Sequence, residues 1–356
     1  SSAQARASPP GVSRAFGTRV VSVDRGSAAT ASGGRLDADA FVFAAGSSFE
    51  RVSFEGRTKA GVRILESPES YAGLGRALAG VGRAVVAGEG ARALQVAERV
   101  AAGGRRVTVL ISSWQHGPPG PIAAQVIGDA ARARGVALER GRVVRALGPR
   151  NVEAVLAGGE VVPCDSLAVV PRRVPGYIPS PAALGRQGGV LTGMGMESGA
   201  HGTFAAGGCA ELGEGNPPHS VLDCEQGLSG RIAGANAAGS FERMPASRRT
   251  SCSAFGLVWT RVGTGSAAAR AGGLEVEAVG QRHGERSSCV IAYDRAKGVA
   301  LGLEVVTELA RGEPALPSLV GTATLRSLAY DGALGSSDIS MVSETARLGL
   351  ESWSRS

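Results

Sequence analysis

Gly88-Glu89-Gly90-Ala91-Arg92-Ala93 is the stretch of this sequence whose spacing carries the clearest chemistry. It is a G-x-G-x-x-A form of the dinucleotide fingerprint. In that pattern Gly88 permits the tight turn, Gly90 lets the backbone approach a pyrophosphate, and Ala93 lets helix and strand pack closely. The N-terminus of the following helix supplies N–H groups to the phosphates. A tight strand-to-helix turn without a ligand uses the same residues. The run 107–111 ends in Ile111-Ser112-Ser113, so no Asp or Glu stands there for a ribose hydroxyl, and no Arg or Lys for a 2′-phosphate. Glu89 also puts a like charge beside a pyrophosphate. NADH and NADPH are therefore not distinguished.

Other reactive side chains are scattered. The five cysteines, Cys164, Cys209, Cys224, Cys252 and Cys289, include no C-x-x-C pair, which suits a reducing, cytoplasmic interior. The four histidines, His116, His201, His219 and His283, have no metal-ligand spacing, so no metal site is expected. Residues 114–116 either line a nicotinamide pocket or form a plain connecting loop. Arg172 and Arg173 read as the solvent-facing close of a strand.

The elements that must position the glycines are legible from periodicity. Residues 84–87 read as a buried strand, 92–102 as a helix with small packing residues, and Gly103-Gly104 as its stop. A strand at 107–111, a helix at 122–134 and short strands near 143–144, 152–156 and 167–170 follow. That alternation is βαβ material and implies a parallel sheet in an α/β fold. Upstream, 20–23 and the buried run 40–45 read as strands. Downstream, β-rich segments at 257–262, 274–279 and 289–292 precede helical candidates. Pro245, Ser247 and two arginines mark a boundary near 241–250.

Composition removes several classes. The 356 residues suggest two or three domains. With 43% hydrophobic and 19% charged residues the chain has material for large cores and is not disordered. No apolar run reaches the roughly 18 residues of a membrane span. The net charge of +7 comes with only 4% aromatics, so no stacking platform for nucleic acid is expected. Phosphate-bearing cofactors use the same charge. The 54 glycines show no collagen-like period. The polar start, without an initiating Met, is expected to mean that the chain was trimmed or that its true beginning lies elsewhere.

Asp37-Ala38-Asp39-Ala40-Phe41-Val42-Phe43-Ala44-Ala45-Gly46-Ser47 resembles the "YDKLVLATGS" segment of flavin-dependent pyridine nucleotide–disulfide oxidoreductases. Gly61-Val62-Arg63-Ile64-Leu65 and the helix from Pro68 resemble that family's entry to its nicotinamide domain. Gly202-Thr203-Phe204-Ala205-Ala206-Gly207-Gly208-Cys209-Ala210-Glu211 is similar to its second flavin motif, and Glu225-Gln226-Gly227 to its "E-Q-G". Leu328-Ala329-Tyr330, with Asp338 and Val342, loosely resembles a terminal signature of the NADH oxidase and coenzyme A disulfide reductase subgroup. The order of these segments covers nearly the whole chain.

The resemblance implies FAD/NAD(P)-binding Rossmann-like domains with a C-terminal α+β dimerisation domain. It divides the chain into a flavin part (1–65 and 190–245), a nicotinamide part (66–189) and an interface domain (246–356). It implies a homodimer and an FAD-dependent NAD(P)H oxidoreductase acting on a disulfide, sulfur or oxygen acceptor. Gly46, Ser47, Gly207, Gly208 and Glu225 fall at its flavin positions; Gly88, Gly90 and Ala93 fall at its nicotinamide turn. Tyr330 falls at a catalytic position near the partner's flavin face. Three departures bear on chemistry. Nothing before Ala40 supplies the first flavin phosphate turn, no cysteine precedes Cys164, and Gly208 replaces the Asp that binds the ribityl chain. FAD is therefore expected to bind weakly or not at all to this chain alone. An upstream segment or a second chain carrying it would complete the enzyme; a non-catalytic relative or partner subunit is the alternative.

Overall fold

The computed structural model describes residues 11–114, 117–213, 219–220, 225–245, 249–311, 328 and 338–353. Its centre is a five-stranded, all-parallel sheet in the order Val62–Ile64, Ser166–Val170, Arg83–Glu89, Arg106–Ser113, Val136–Arg140. Ser166–Val170 is buried along its whole length, and Val85 and Val86 in its neighbour are at most 1% exposed. That continuous apolar run is what a sheet covered on both faces requires. The helix Gly90–Ala101 lies on one face through Ala93 and Ala97, both fully buried and small enough for close approach. The helix Pro68–Ala77 starts at a capping box, in which the Ser67 and Ser70 side chains bond each other's backbone N–H. Pro121 opens the helix Pro121–Arg132, where its missing N–H costs nothing.

The short strands read between 143 and 170 divide between two sheets. Val143–Leu147, Ala154–Ala157 and Glu160–Pro163 form an antiparallel meander, and only Ser166–Val170 returns to the parallel sheet. An N-terminal antiparallel sheet, Val20–Asp24, Ser27–Thr30 and Arg35–Asp37, packs Val23 and Ala28 into a second core with Phe43, Ala205 and Ile232. There Phe41–Phe43 pairs in parallel with Thr203–Ala205, joining the two sequence segments that resemble flavin motifs.

The C-terminal part is a five-stranded antiparallel sheet in the order Arg249–Ala254, Leu257–Gly263, Ala300–Glu308, Ser288–Asp294, Val276–Arg282. Its central strand, Ala300–Glu308, falls where helical candidates were expected. The β-branched run Val305-Val306-Thr307, fully buried, outweighs the helix-favouring Ala, Leu and Glu around it. One face joins the core of the parallel-sheet layer through Phe255, Leu257, Trp259 and Val306. The opposite face, through Ile291, Leu303 and Val305, is covered by Met341, Val342 and Ala346 of the helix Asp338–Trp353. Among the described residues no helix is long and apolar enough to cross a membrane.

Candidate functional site

The parallel sheet reverses its strand order between Arg83–Glu89 and Ser166–Val170. At such a switch point the connections leave in opposite directions and a crevice opens beyond the carboxyl ends of the strands. Here the crevice is a cavity of about 260 Å³ whose lining includes Gly88, Ser112, Ser113, Arg51, Arg142 and Arg172. Gly88 sits at its floor with φ +146, and a Cβ there would run into the Val170 carbonyl on the neighbouring strand. Only glycine closes this strand pair while leaving backbone exposed to a ligand.

The rest of the glycine turn departs from the sequence expectation. Glu89 is 4% exposed and turns back on the helix it precedes: its carboxylate accepts the Arg92 backbone N–H at 3.4 Å and lies 3.4 Å from Arg92 Nε. Its charge is thus engaged by a guanidinium rather than left against a phosphate. Arg92 reaches on to the Pro171 carbonyl at 3.0 Å, crossing from the helix to the end of the adjacent strand. Gly90 is required for packing, since a Cβ would come within 2.5–2.6 Å of the Trp114 indole. Trp114 in turn meets Trp259 edge-on, with centroids 6.2 Å apart at 71°. Ala93 lies buried against the sheet.

The crevice fits a phosphate-bearing nucleotide. Its floor is open backbone, its strand end offers two hydroxyls, and three guanidinium groups surround it. The cations replace much of what the capped helix N-terminus would have provided. Sequence reading did not single out Arg51 or Arg142 at this place. Neither lies in a strand of the parallel sheet, and only the folded cavity brings them together with Ser112 and Ser113.

The residues expected at the flavin converge as well. Gly46, Ser47, Gly207 and Gly208 meet beyond the ends of Phe41–Phe43 and Thr203–Ala205, with Glu225 buried at the start of the helix Gln226–Ala237. Gly207 has φ +69 and donates its N–H to Ser229 Oγ at 3.0 Å. A Cβ on Gly208 would lie 3.1 Å from Ser47 Cβ and 3.2 Å from Ser47 Oγ. An acid at position 208 would therefore require exposed Ser47 to give way by a few tenths of an ångström, and with Gly208 in place the carboxylate that would hold a ribityl chain in the family's manner is absent. Glu211, fully buried, instead fastens a loop by accepting the Gln187 N–H at 2.9 Å and the Gly189 N–H at 3.3 Å.

The described thiols are buried, Cys252 with its Sγ donating to the Ala91 carbonyl of the glycine turn at 3.6 Å. Burial pushes Cys164 up to about 11 and both Cys252 and Cys289 up to about 12. Cys209 is fully buried with its Sγ directed at the Phe43 and Ala206 carbonyls. Among the described residues no group of His, Cys, Asp and Glu is arranged to hold a metal. Tyr330, Cys224 and His116 lie outside the described residues.

Comparison with known proteins was made on this background. A family model described as pyridine nucleotide-disulphide oxidoreductase matches residues 3–239, more than half of the chain. A rubredoxin-NAD(+) reductase of Pseudomonas putida is 29% identical over 207 residues, 56% of this chain. The match spans 54%, about half, of that relative's length. Among solved structures, an FAD-dependent pyridine nucleotide-disulphide oxidoreductase from Desulfovibrio vulgaris superposes with TM-score 0.73 at 20% identity, covering 94% of this chain and 90% of that one. The water-forming NADH oxidase from Lactobacillus brevis gives TM-score 0.79 at 16% identity, covering 95% and 82%. A NAD-dependent persulfide reductase from A. fulgidus gives 0.78 at 19%, covering 94% and 68%. At these identities the structural likeness concerns the fold.

Proposed function

Because the chain belongs to the pyridine nucleotide-disulphide oxidoreductase family, we propose that it is the NAD(P)H-binding part of a flavin-dependent oxidoreductase. The observation carrying this reading is the switch-point crevice, with Gly88 at its floor and arginines and serines around it. A bound nicotinamide nucleotide would supply the hydride. The chain's own residues bind and orient: Gly88 admits the nucleotide to the backbone, Arg51, Arg142 and Arg172 hold phosphate, and Ser112 and Ser113 bond ribose oxygens. Glu89 and Arg92 fix the turn, and Trp114 packs over it.

The acceptor belongs to the disulfide, sulfur or oxygen class. With Cys164, Cys252 and Cys289 held as thiols and Cys209 fully buried, none of these four is suited to relay electrons. In this reading the flavin is held weakly, because Gly208 leaves no carboxylate for its ribityl chain. A twofold homodimer through residues 251–356 belongs to the same reading and rests on the family position of that domain. Within one chain the face formed by Ile291, Leu303 and Val305 is already covered by the helix Asp338–Trp353, so that face is not what a partner would cover. A light-scattering mass of one chain, 35.8 kDa, overturns the dimer.

The experiment is a titration of the purified chain with NADH and NADPH, followed by calorimetry. Saturable one-to-one binding, weakened in Arg142→Ala, supports the reading. Absence of binding to either nucleotide overturns it and leaves the second reading, a non-catalytic relative or partner subunit. The tight packing of Gly208 on Ser47 is the observation that favours that alternative.

A further inference from the structure

The strand end beside the crevice is where a dinucleotide site of this topology reads the adenosine ribose. An acidic residue there accepts from a 2′-hydroxyl and repels a 2′-phosphate; a nearby arginine does the reverse. This chain places Ser112 and Ser113 at that end, with no carboxylate. The cation comes from just beyond the neighbouring strand. Ile111 pairs in parallel register with Arg140, the last residue of its strand, and Arg142, two residues further along, lines the cavity with Ser112 and Ser113. Arg51 lines the same cavity, from a segment that runs beside the strand Val143–Leu147 through the Glu55–Arg145 bridge.

The charges of that cavity do not cancel. Its Glu50 carboxylate lies 3.6 Å from Arg172, and its Glu89 carboxylate lies against Arg92. Arg51 and Arg142 make no ion pair or hydrogen bond among the described residues. Two uncommitted guanidinium forks and two hydroxyl donors thus converge on a site beyond the strand ends. Planar forks match phosphate oxygens in pairs.

Resting on the nucleotide-binding reading above, we infer that this crevice selects a nucleotide phosphorylated on the adenosine 2′-oxygen, the NADPH type, with Arg142 as the selecting residue and Arg51 as the second cation. The lone sequence rule of inspecting residues 111–113 finds no cation, because the cation lies 29 residues further along the chain than Ser113, and only the folded cavity brings the two together.

The test uses the full chain and redox-inert probes: adenosine 2′,5′-bisphosphate, adenosine 3′,5′-bisphosphate and 5′-AMP, titrated calorimetrically at one low ionic strength. The 2′,5′ compound is expected to bind roughly ten- to a hundredfold more tightly than 5′-AMP, and more tightly than its 3′,5′ isomer. Arg142→Ala should bring it to the level of 5′-AMP. Arg142→Lys should retain part of the preference, and Ser113→Asp should reverse it. Equal binding of the two bisphosphates, the mark of unspecific charge attraction, overturns the inference, as does equal binding of 5′-AMP. Binding of none of the three overturns the nucleotide reading itself and this inference with it; binding without preference overturns this inference alone.

Discussion

Glu304, on the central strand of the C-terminal sheet, caps a helix of the parallel-sheet layer: its carboxylate oxygens accept the Gly120 backbone N–H at 2.9 and 3.1 Å. Gly120 has no side chain to cap the helix Pro121–Arg132 that it precedes. The same carboxylate accepts from the Trp259 indole N–H, and Arg261 reaches the Pro118 carbonyl at 3.1 Å. The segment 117–120, which follows the ribose-side strand end, is thereby tied to the C-terminal sheet at two points, through Glu304 and Arg261. Trp114, packed on both Gly90 and Trp259, makes a third link, between the sheet and the glycine turn.

Removing this cap should cost more than an ordinary surface bond. Glu304 is 7% exposed, so Glu304→Ala leaves the Gly120 and Trp259 N–H groups without an acceptor, a loss of about 2–4 kcal/mol read from urea midpoints. Its pH dependence has a defined sign. Burial raises the Glu304 carboxyl above its usual 4.5, against the Gly120 N–H, the Trp259 N–H and Arg261, which lower it. The folded chain therefore holds this proton more tightly than the unfolded one. That stabilisation is complete below the unfolded pKa and is lost as pH rises through the folded value. Wild type should lose stability relative to Glu304→Gln as pH rises from about 4; parallel stability curves for the two would reject the account.

Gly88→Ala should fail by folding rather than by loss of ligand contact. The new methyl meets the Val170 carbonyl and the backbone keeps a φ of +146, so strand pairing at the crevice floor must open. A loss of about 2–4 kcal/mol is expected in the urea midpoint. Gly80→Ala, also at positive φ but with nothing within 4 Å of its Cβ, should cost about 1 kcal/mol. Equal losses at the two positions would show that the Val170 contact is not the cause.

The parts of this site that depend on neighbours in sequence were legible, and those that depend on sheet order were not. Strand, turn and helix around Gly88 follow from an apolar run, two glycines and a helical period, and the helix begins at Gly90, two residues before the expected start. Periodicity could not show that Glu89 would turn back on Arg92, nor that Trp114 would lie on Gly90. Both are contacts made after the chain has folded. Arg142 and Ser113 came together only in the folded cavity. Helical candidates were expected after residue 292 without bounds, and in the strand Ala300–Glu308 cross-strand burial decides in favour of β.

The thiols give a prediction independent of any nucleotide. In a Cys224→Ser background the four remaining cysteines are all buried, and for Cys164, Cys252 and Cys289 burial raises the pKa to about 11, 12 and 12. Protonated, inaccessible sulfur is a poor nucleophile. Native protein at pH 8 should leave a disulfide reagent nearly unreacted over minutes, while guanidinium-unfolded protein should release close to four equivalents. Rapid reaction of even one thiol in the native state would return a redox relay to consideration.

Gly208 and Ser47 offer the sharpest separation of a lost flavin site from an incomplete one. Restoring the family's acid requires its neighbours to give by a few tenths of an ångström, because a Cβ at 208 lies 3.1 Å from Ser47 Cβ and 3.3 Å from the Gly46 carbonyl carbon. Contacts that short oblige the neighbour to move, and overpacking of this kind costs about 1–3 kcal/mol. Gly208→Asp alone should therefore lower the urea midpoint without adding flavin absorbance. Ser47→Gly removes the obstructing side chain and should recover part of that stability in the double variant, a positive coupling between the two positions. If the double variant also retains FAD through gel filtration, the chain already holds the remainder of the pocket and the steric conflict was the barrier. If it is stable and still colourless, the missing groups lie outside the residues described. Additive, uncoupled losses would show that Ser47 does not set the space at 208.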